Sequence, residues 1–193
     1  ALPVMEGKCV LFKEFAGVDA FPICLDTQDE EEIIKTIKYL APVFGGINLE
    51  DISAPRCFEI EERLKKELDI PVMHDDQHGA ATVVLTGLIN AFKLRGLIKD
   101  KVRVVVNGAG AAGAAVTKLL LKYGVQNIIV CDSQGAIYEG RPDLADMKLK
   151  LATLTNFGKN KGKLEDVIKK ADVFIGLSAP GVLKVEMIKS MNT

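Results

Sequence analysis

Apolar and polar residues alternate along the first part of the chain in the manner of short strands and amphipathic helices. Apolar runs at residues 10–12 and 21–25 are bounded by turn or charged residues and predict strands. Between residues 29 and 44, aliphatic side chains recur at helical spacing behind a run of acids, which favour the positive end of a helix dipole. A strand followed by a helix is predicted here.

Two further strand–helix pairs follow along the chain. Residues 47–49 predict a strand, with a helix over about residues 57–68 behind it. Residues 71–73 predict the next strand, and a long apolar helix over about residues 79–94 follows, with Gly96 as its C-cap. Strands that alternate with helices predict an α/β protein with a parallel sheet.

A second unit of the same class opens with the apolar run at residues 102–106. A glycine-rich loop follows, then an Ala- and Leu-rich helix to about Tyr123, and residues 127–131 and 172–176 predict the next strands. We place the boundary of the two domains within residues 76–100. The pattern indicates a parallel-sheet domain followed by a Rossmann-type dinucleotide-binding domain.

We divide the chain after residue 78 and expect both domains to be partial. Residues 1–78 are interpreted as an α/β domain truncated at its N-terminus, and residues 79–193 as a Rossmann-type domain truncated at its C-terminus. The chain begins without Met and runs at once into organised sequence. We therefore expect a fragment of a longer protein.

Composition narrows the class of protein. The chain is 48% hydrophobic with a mean hydropathy of +0.18, which fits a globular protein and argues against disorder. A net charge of −1 leaves no basic surplus for nucleic acid or an anionic membrane. Four cysteines stand singly in apolar stretches, which favours buried reduced thiols and a cytoplasmic location. They are Cys9, Cys24, Cys57 and Cys131.

The glycine-rich loop fits the dinucleotide-binding pattern GxGxxG. A hydrophobic strand precedes it and a helix follows, so its backbone N–H groups are expected to hold a pyrophosphate at the helix N-terminus. The alternative, a glycine turn that only packs a helix on a sheet, is less favoured by this context. The loop consists of Gly108, Ala109, Gly110, Ala111, Ala112 and Gly113.

Two further positions are candidates for cofactor binding. Asp132 ends the second strand, where a carboxylate would bind a free ribose 2′-hydroxyl and repel a 2′-phosphate, which favours NAD over NADP unless a nearby Lys or Arg accommodates the phosphate. Ser178 and Ala179 lie in a turn after the third strand. That turn is interpreted either as a cofactor contact or as an ordinary Pro-Gly turn, and both readings stay open.

Acidic pairs follow two of the predicted strands. A parallel sheet would bring Glu50-Asp51 and Asp75-Asp76 to one edge, where their charges repel unless a cation or Lys lies between them. Carboxylate oxygens suit Mg²⁺ or Mn²⁺ better than Zn²⁺, and His74 and His78 are interpreted as structural or supporting residues. The alternative for either pair alone is that it caps the following helix.

Five blocks of the sequence carry a family pattern in a fixed order: residues 4–8, 15–20, 45–52, 74–79 and 107–113. Taken together, they resemble the malic enzymes, in particular the shorter bacterial and archaeal type. The resemblance covers essentially the whole chain and implies a dehydrogenase that oxidatively decarboxylates L-malate to pyruvate and CO₂ with NAD or NADP and Mg²⁺ or Mn²⁺. It also implies that residues 1–78 form the malate- and metal-binding domain, that residues 79–193 form the NAD(P)-binding domain, and that the protein forms a homodimer or larger assembly.

The resemblance also implies roles for single residues. Glu50, Asp51 and Asp76 are expected to ligate the metal, Lys8 to be the general base, and Asp75 to lie beside both. Alone, Lys8 would be interpreted as a solvated surface lysine. Burial and a nearby dication would lower the pKa of Lys8, so that it could take the C2 hydroxyl proton of malate while hydride leaves C2 and the metal polarises the resulting ketone.

Some residues of the family's site fall outside the chain. The resemblance implies a tyrosine general acid from an upstream segment, and Tyr39, Tyr123 and Tyr138 do not match its motif. Family substrate-binding residues that include asparagines are expected beyond Thr193. Two alternatives are a dinucleotide- or metal-binding module without turnover and a Rossmann dehydrogenase that needs no metal, which the acidic pairs argue against.

Overall fold

The computed structural model describes residues 2–192 and divides into two compact units between Asp75 and Asp76. The predicted boundary after residue 78 stays a prediction. The first unit holds a two-stranded parallel sheet with helices, which agrees with the predicted α/β class. Its elements are α1 (Leu2–Ala16), α2 (Glu30–Leu40), a 3-10 turn (Ala41–Val43), β1 (Ile47–Leu49), α3 (Arg56–Glu67) and β2 (Val72–His74).

The first predicted strand is wrong, because residues 10–12 belong to α1. A three-residue apolar run fits a helix as well as a strand, and the longer spacing decides between them. The partly buried side chains of α1 recur at helical spacing and form one face: Met5, Lys8, Cys9 and Phe12.

The strand predicted at residues 21–25 is also wrong, since these residues form no regular structure. Pro22 lies within the run and has no backbone N–H to donate to a ladder. As a consequence Cys24 is exposed rather than buried, whereas Cys57 and Cys131 are buried as expected. Burial raises the pKa of the Cys131 thiol to about 12.

Helix α2 forms where the sequence pattern predicts a helix. Asp29 caps the helix by accepting a hydrogen bond from the backbone N–H of Glu32 at 2.9 Å. Ile33, Ile34 and Ile37 are the buried residues of α2 and pack in the core of the first unit with β1, β2 and α3. One amphipathic face therefore fixes the helix on the sheet.

The second unit is a Rossmann-type sheet. Its four strands run in the order β5-β4-β3-β6, with β4 and β6 parallel to β3 and β5 antiparallel to β4. Val104, Val105 and Val106 of β3 are 0% exposed, as expected for a central strand covered on both faces. The elements are α4 (Asp75–Arg95), β3 (Arg103–Asn107), α5 (Ala111–Tyr123), β4 (Asn127–Asp132), β5 (Gly135–Ala136), α6 (Asp146–Leu154), α7 (Leu164–Val167), β6 (Val173–Gly176) and α8 (Val185–Lys189).

Helix α4 starts at the last residue of the first unit and continues into the second. Gly96 follows it in a left-handed conformation with φ of 63°, which confirms the predicted glycine C-cap. Within residues 2–192, every helix is too short or too polar to cross a bilayer.

Candidate active site and dinucleotide-binding loop

The parallel pairing of β1 and β2 brings two carboxylates to one edge of the small sheet. Leu49 lies opposite His74 in the register, and each is the last residue of its strand. Glu50 and Asp75 therefore leave the sheet at the same edge, as the sequence predicted for the acidic pairs. The side chain of Glu50 is 5% exposed, so its charge needs a partner.

Lys8 supplies that partner from α1. Its Nζ lies 2.9 Å from Oε2 of Glu50 and donates a hydrogen bond to Oδ2 of Asp75. The amide of Asn48 also approaches Oε2 of Glu50, at 3.3 Å. The resemblance implied that Lys8 and Asp75 lie side by side, and the structure brings them into contact although 67 positions separate them in sequence.

The pKa of Lys8 is subject to two opposing effects. Burial lowers the pKa of Lys8, but the hydrogen bonds to Asp75 and Glu50 and the negative charges of both outweigh burial, so the net pKa is raised. The lower pKa expected of Lys8 beside a bound dication stays a prediction. Two acceptors around one ammonium hold it firmly in place.

Three carboxylates converge in a pattern suited to a hard cation. One ligating oxygen each from Glu50, Asp51 and Asp76 lies within 4.8 Å of the others. Ions such as Mg²⁺ and Ca²⁺ bind oxygen ligands at about 2.0–2.6 Å. Two oxygens on one such ion therefore lie no more than about twice that distance apart. The separations of the three carboxylates are within this limit, and carboxylate oxygens are the ligands that such ions prefer. Asp51 has a φ of 58°, an unusual backbone conformation for a residue that is not glycine.

We call Lys8, Glu50, Asp51, Asp75 and Asp76 the lysine–carboxylate cluster. A cavity of about 600 Å³ in the first unit is lined by Lys8, Glu50 and Asp51 together with apolar side chains that include Phe12 and Phe44. Its size is in the range of small-molecule sites. The partly buried face of α1 therefore presents the lysine to a pocket rather than to open solvent.

In the second unit, the glycine loop joins β3 to α5 as the pattern predicts. Gly108 has a φ of 128°, and a Cβ added to it would lie 2.4 Å from the carbonyl oxygen of Leu177. A Cβ on Gly113 would lie 1.8 Å from the carbonyl oxygen of Gly108. Both positions therefore require glycine, one for its backbone conformation and both for close packing.

The start of α5 is open to an anion. Gly110 is the N-cap and makes no side-chain capping bond, while Ala111 and Ala112 form the first turn of the helix. Small side chains here leave the first backbone N–H groups accessible to a phosphate. Ala109 completes the loop between the two glycines. These positions match the predicted site, and their cofactor contacts stay a prediction.

Ser178 and Ala179 follow β6, the strand on the other side of β3 from β4. The side-chain amide of Asn107 donates a hydrogen bond to Oγ of Ser178 at 2.7 Å and so joins the ends of β3 and β6. Asn107 was not among the predicted site residues. Its signal was a polar residue at the last position of a strand, directly after three valines.

Asp132 lies at the predicted strand end but is already engaged. Both of its oxygens accept hydrogen bonds from Arg141, at 3.0 and 2.6 Å, and Lys148 donates to Oδ2 at 2.7 Å. The backbone N–H of Gln134 donates to Oδ1 at 2.9 Å. Burial raises the pKa of Asp132, but these hydrogen bonds outweigh burial and hold the pKa far below its ordinary value.

Arg141 also binds Asp143 through Nε at 2.7 Å. We call Asp132, Arg141, Asp143 and Lys148 the Asp132 cluster. A nearby Lys or Arg was expected here as an alternative, without a residue assigned to it. Both cations lie within 16 positions of Asp132, so the basic residues of the following segment were the available signal.

Comparisons with known proteins match both units of the chain. A family model described as "Malic enzyme, N-terminal domain" matches residues 1–65, and one described as "Malic enzyme, NAD binding domain" matches residues 77–193. The chain is 62% identical over 192 residues to a bifunctional malic/malolactic enzyme from Bacillus subtilis (strain 168), a match that covers 99% of this chain and 47% of that protein. It is 63% identical over 191 residues to an NAD-dependent malic enzyme from Geobacillus stearothermophilus, covering 99% of this chain and 40% of that protein.

A solved structure gives the same result. The crystal structure of an NAD-dependent malic enzyme from Thermotoga maritima superposes with a TM-score of 0.96 at 51% identity, covering 99% of this chain and 51% of that chain. The fold and the glycine loop define a protein with a Rossmann-type dinucleotide-binding domain. Within that class, the chain belongs to the malic enzyme family. It spans 47% and 40% of the lengths of the Bacillus subtilis and Geobacillus stearothermophilus relatives.

Proposed function

We propose that the complete protein oxidatively decarboxylates L-malate to pyruvate and CO₂, reduces NAD or NADP, and requires Mg²⁺ or Mn²⁺. The contact of Lys8 with Asp75 and Glu50 is the observation that carries this proposal, because it places a basic side chain beside a carboxylate set that suits a divalent ion. Relatives named as malic enzymes support the reaction type. A cytoplasmic homodimer or larger assembly is part of the proposal.

The roles of the residues follow from their chemistry. Glu50, Asp51 and Asp76 would hold the divalent ion, and the chemistry that such an ion supplies is Lewis-acid polarisation of a substrate oxygen. Lys8 would become neutral when a bound divalent ion offsets the charges of its carboxylate neighbours, and it would then accept the C2 hydroxyl proton at Nζ while hydride passes from C2 of malate to the nicotinamide. Asp75 holds the amine in position for this transfer.

The remaining steps balance as a decarboxylation. Once C2 is a ketone, the bond from C3 to the neighbouring carboxylate breaks, CO₂ leaves, and its electron pair stays on C3, which then takes a proton. The products are pyruvate, CO₂ and reduced dinucleotide. In the second unit, the glycine loop would bind the pyrophosphate of the dinucleotide at the N-terminus of α5.

The decisive experiment measures reduced dinucleotide formed from L-malate by the full-length protein with and without Mn²⁺. We expect turnover that chelation abolishes, and we expect Asp51→Asn to raise the Mn²⁺ concentration required by about tenfold or more. Asp69→Asn is the matched control, because Asp69 is an exposed acid of the same unit.

Each outcome of this experiment has a clear meaning. Turnover that survives chelation would remove the metal from the proposal. Binding of NADH without any oxidation of malate would leave a dinucleotide-binding module as the function.

A further inference from the structure

The topology of the second unit defines where a dinucleotide crosses the sheet. The chain runs from β3 through α5 to β4 on one side of β3, and β6 lies on the other side. Ligands of open α/β sheets bind at such a switch point, outside the carboxyl ends of the strands. The ends of β3 and β6, which carry Asn107 and Ser178, therefore flank the crevice.

A buried amide holds an exposed hydroxyl at this point. Asn107 is 6% exposed, whereas Ser178 lies at the surface. The backbone fixes both partners, because the N–H of Leu177 donates to the carbonyl of Asn107 at 2.8 Å and the N–H of Gly108 donates to the carbonyl of Cys131 at 2.8 Å. The amide of Asn107 then reaches Oγ of Ser178 at 2.7 Å.

The direction of this hydrogen bond matters for a ligand. A serine hydroxyl has one hydrogen and two lone pairs. Because Asn107 donates to Oγ, one lone pair is used and the hydroxyl hydrogen stays available for an acceptor in the crevice. The side of the sheet beyond β6 lies opposite the adenosine side at β4, so this acceptor belongs to the nicotinamide half of the dinucleotide.

We propose that Asn107 is a positioning residue for the dinucleotide: it fixes the turn after β6 and orients the Ser178 hydroxyl to donate to an acceptor oxygen on the nicotinamide half. This inference rests on the proposed function, because it needs a nicotinamide dinucleotide as the ligand. It assigns a role to a residue that lies outside the glycine loop and outside the lysine–carboxylate cluster.

The test is a double-mutant cycle on the affinity of the full-length protein for NADH and for AMP, which lacks the nicotinamide half. We expect Ser178→Ala and Asn107→Ala each to weaken NADH binding roughly five-fold, the factor that one ordinary hydrogen bond is worth. We expect the double variant to be no weaker than either single variant, since both remove one interaction. We expect the AMP affinity to stay unchanged in all three variants. The control Ser190→Ala should leave the affinities for both NADH and AMP unchanged.

Asn107→Asp is a second variant of nearly the same size. A carboxylate accepts rather than donates, so it would draw the Ser178 hydrogen away from the crevice, and we expect the same loss of NADH affinity. An unchanged NADH affinity in Ser178→Ala overturns the proposal even where the Asn107 variants fold poorly. Losses that multiply in the double variant, or an equal loss of AMP affinity, also overturn it. A wild-type protein that binds AMP and not NADH contradicts the proposed function itself.

Discussion

The lysine–carboxylate cluster and the Asp132 cluster are both built from ion pairs, yet their charges are balanced differently. The lysine–carboxylate cluster has one ammonium and four carboxylates: Glu50 and Asp75 pair with Lys8, and Asp51 and Asp76 converge with Glu50. In the Asp132 cluster, two carboxylates meet two cations, Arg141 and Lys148. The first arrangement has excess negative charge, whereas the second is neutral by itself.

The exposure of one ion pair in each cluster also differs. The side chains of Asp132 and Arg141 are 6% and 7% exposed, and every oxygen of Asp132 has a donor. Lys8 and Asp75 are 28% and 30% exposed, and Lys8 lines the cavity of the first unit. A buried ion pair within a balanced cluster anchors the chain, whereas a more exposed pair within an unbalanced cluster is suited to binding a cation and its ligand.

The largest effect is expected from removing the amine of Lys8. Lys8→Ala should lower the kcat of malate oxidation by roughly 10²–10⁴-fold, the range that a general base contributes. Lys13→Ala is the matched control, since Lys13 lies on the same helix and is 62% exposed. The measurement is steady-state turnover with saturating Mn²⁺ and dinucleotide. Equal kcat values for the two variants would mean that Lys8 is not the general base and that the lysine–carboxylate cluster has only a structural role.

A smaller effect, on stability, is expected from the balanced cluster. Asp132→Asn should lower the free energy of unfolding at neutral pH by roughly 3 kcal/mol, because it leaves the buried Arg141 without its main counter-charge. The pKa of Asp132 is depressed in the folded state, so this stabilisation is complete above the unfolded pKa of about 3.9 and is lost as the pH falls below it.

Urea unfolding of wild type and Asp132→Asn at several pH values measures this difference. The two proteins should differ most at neutral pH, the difference should begin to shrink as the pH falls below about 4, and it should vanish only below the depressed folded-state pKa of Asp132. A constant difference across the range would mean that Asp132 stabilises the fold by packing rather than by its charge.

The contrast also explains which parts were predictable. The glycine loop is local: its spacing, its strand and its helix lie in one stretch of chain, so pattern alone predicted Gly108 and Gly113. Lys8 reaches its partners from a helix that the pattern misread as a strand, and only family resemblance predicted its role. The contact of Asn107 with Ser178 joins positions 71 apart, and no spacing rule encodes such a pair.

The smallest effect concerns the choice of dinucleotide. The sequence predicted that a bare Asp132 carboxylate favours NAD, but Lys148, whose side chain is 41% exposed, neutralises it at the strand end where the adenosine ribose is expected. Lys148→Gln should therefore weaken NADP binding by roughly two- to five-fold, the scale of an exposed ion pair, and change NAD binding less. Lys150→Gln is the control on the same helix.

Direct titration of the full-length proteins with NAD and with NADP gives the ratio of the two dissociation constants. The shift in that ratio should shrink at high salt, because an exposed lysine acts on a phosphate through a screened charge. A ratio that Lys148→Gln leaves unchanged would mean that the ammonium is committed to Asp132 alone. In that case the Asp132 cluster only stabilises the fold, whereas the lysine–carboxylate cluster remains the one with a role in ligand binding.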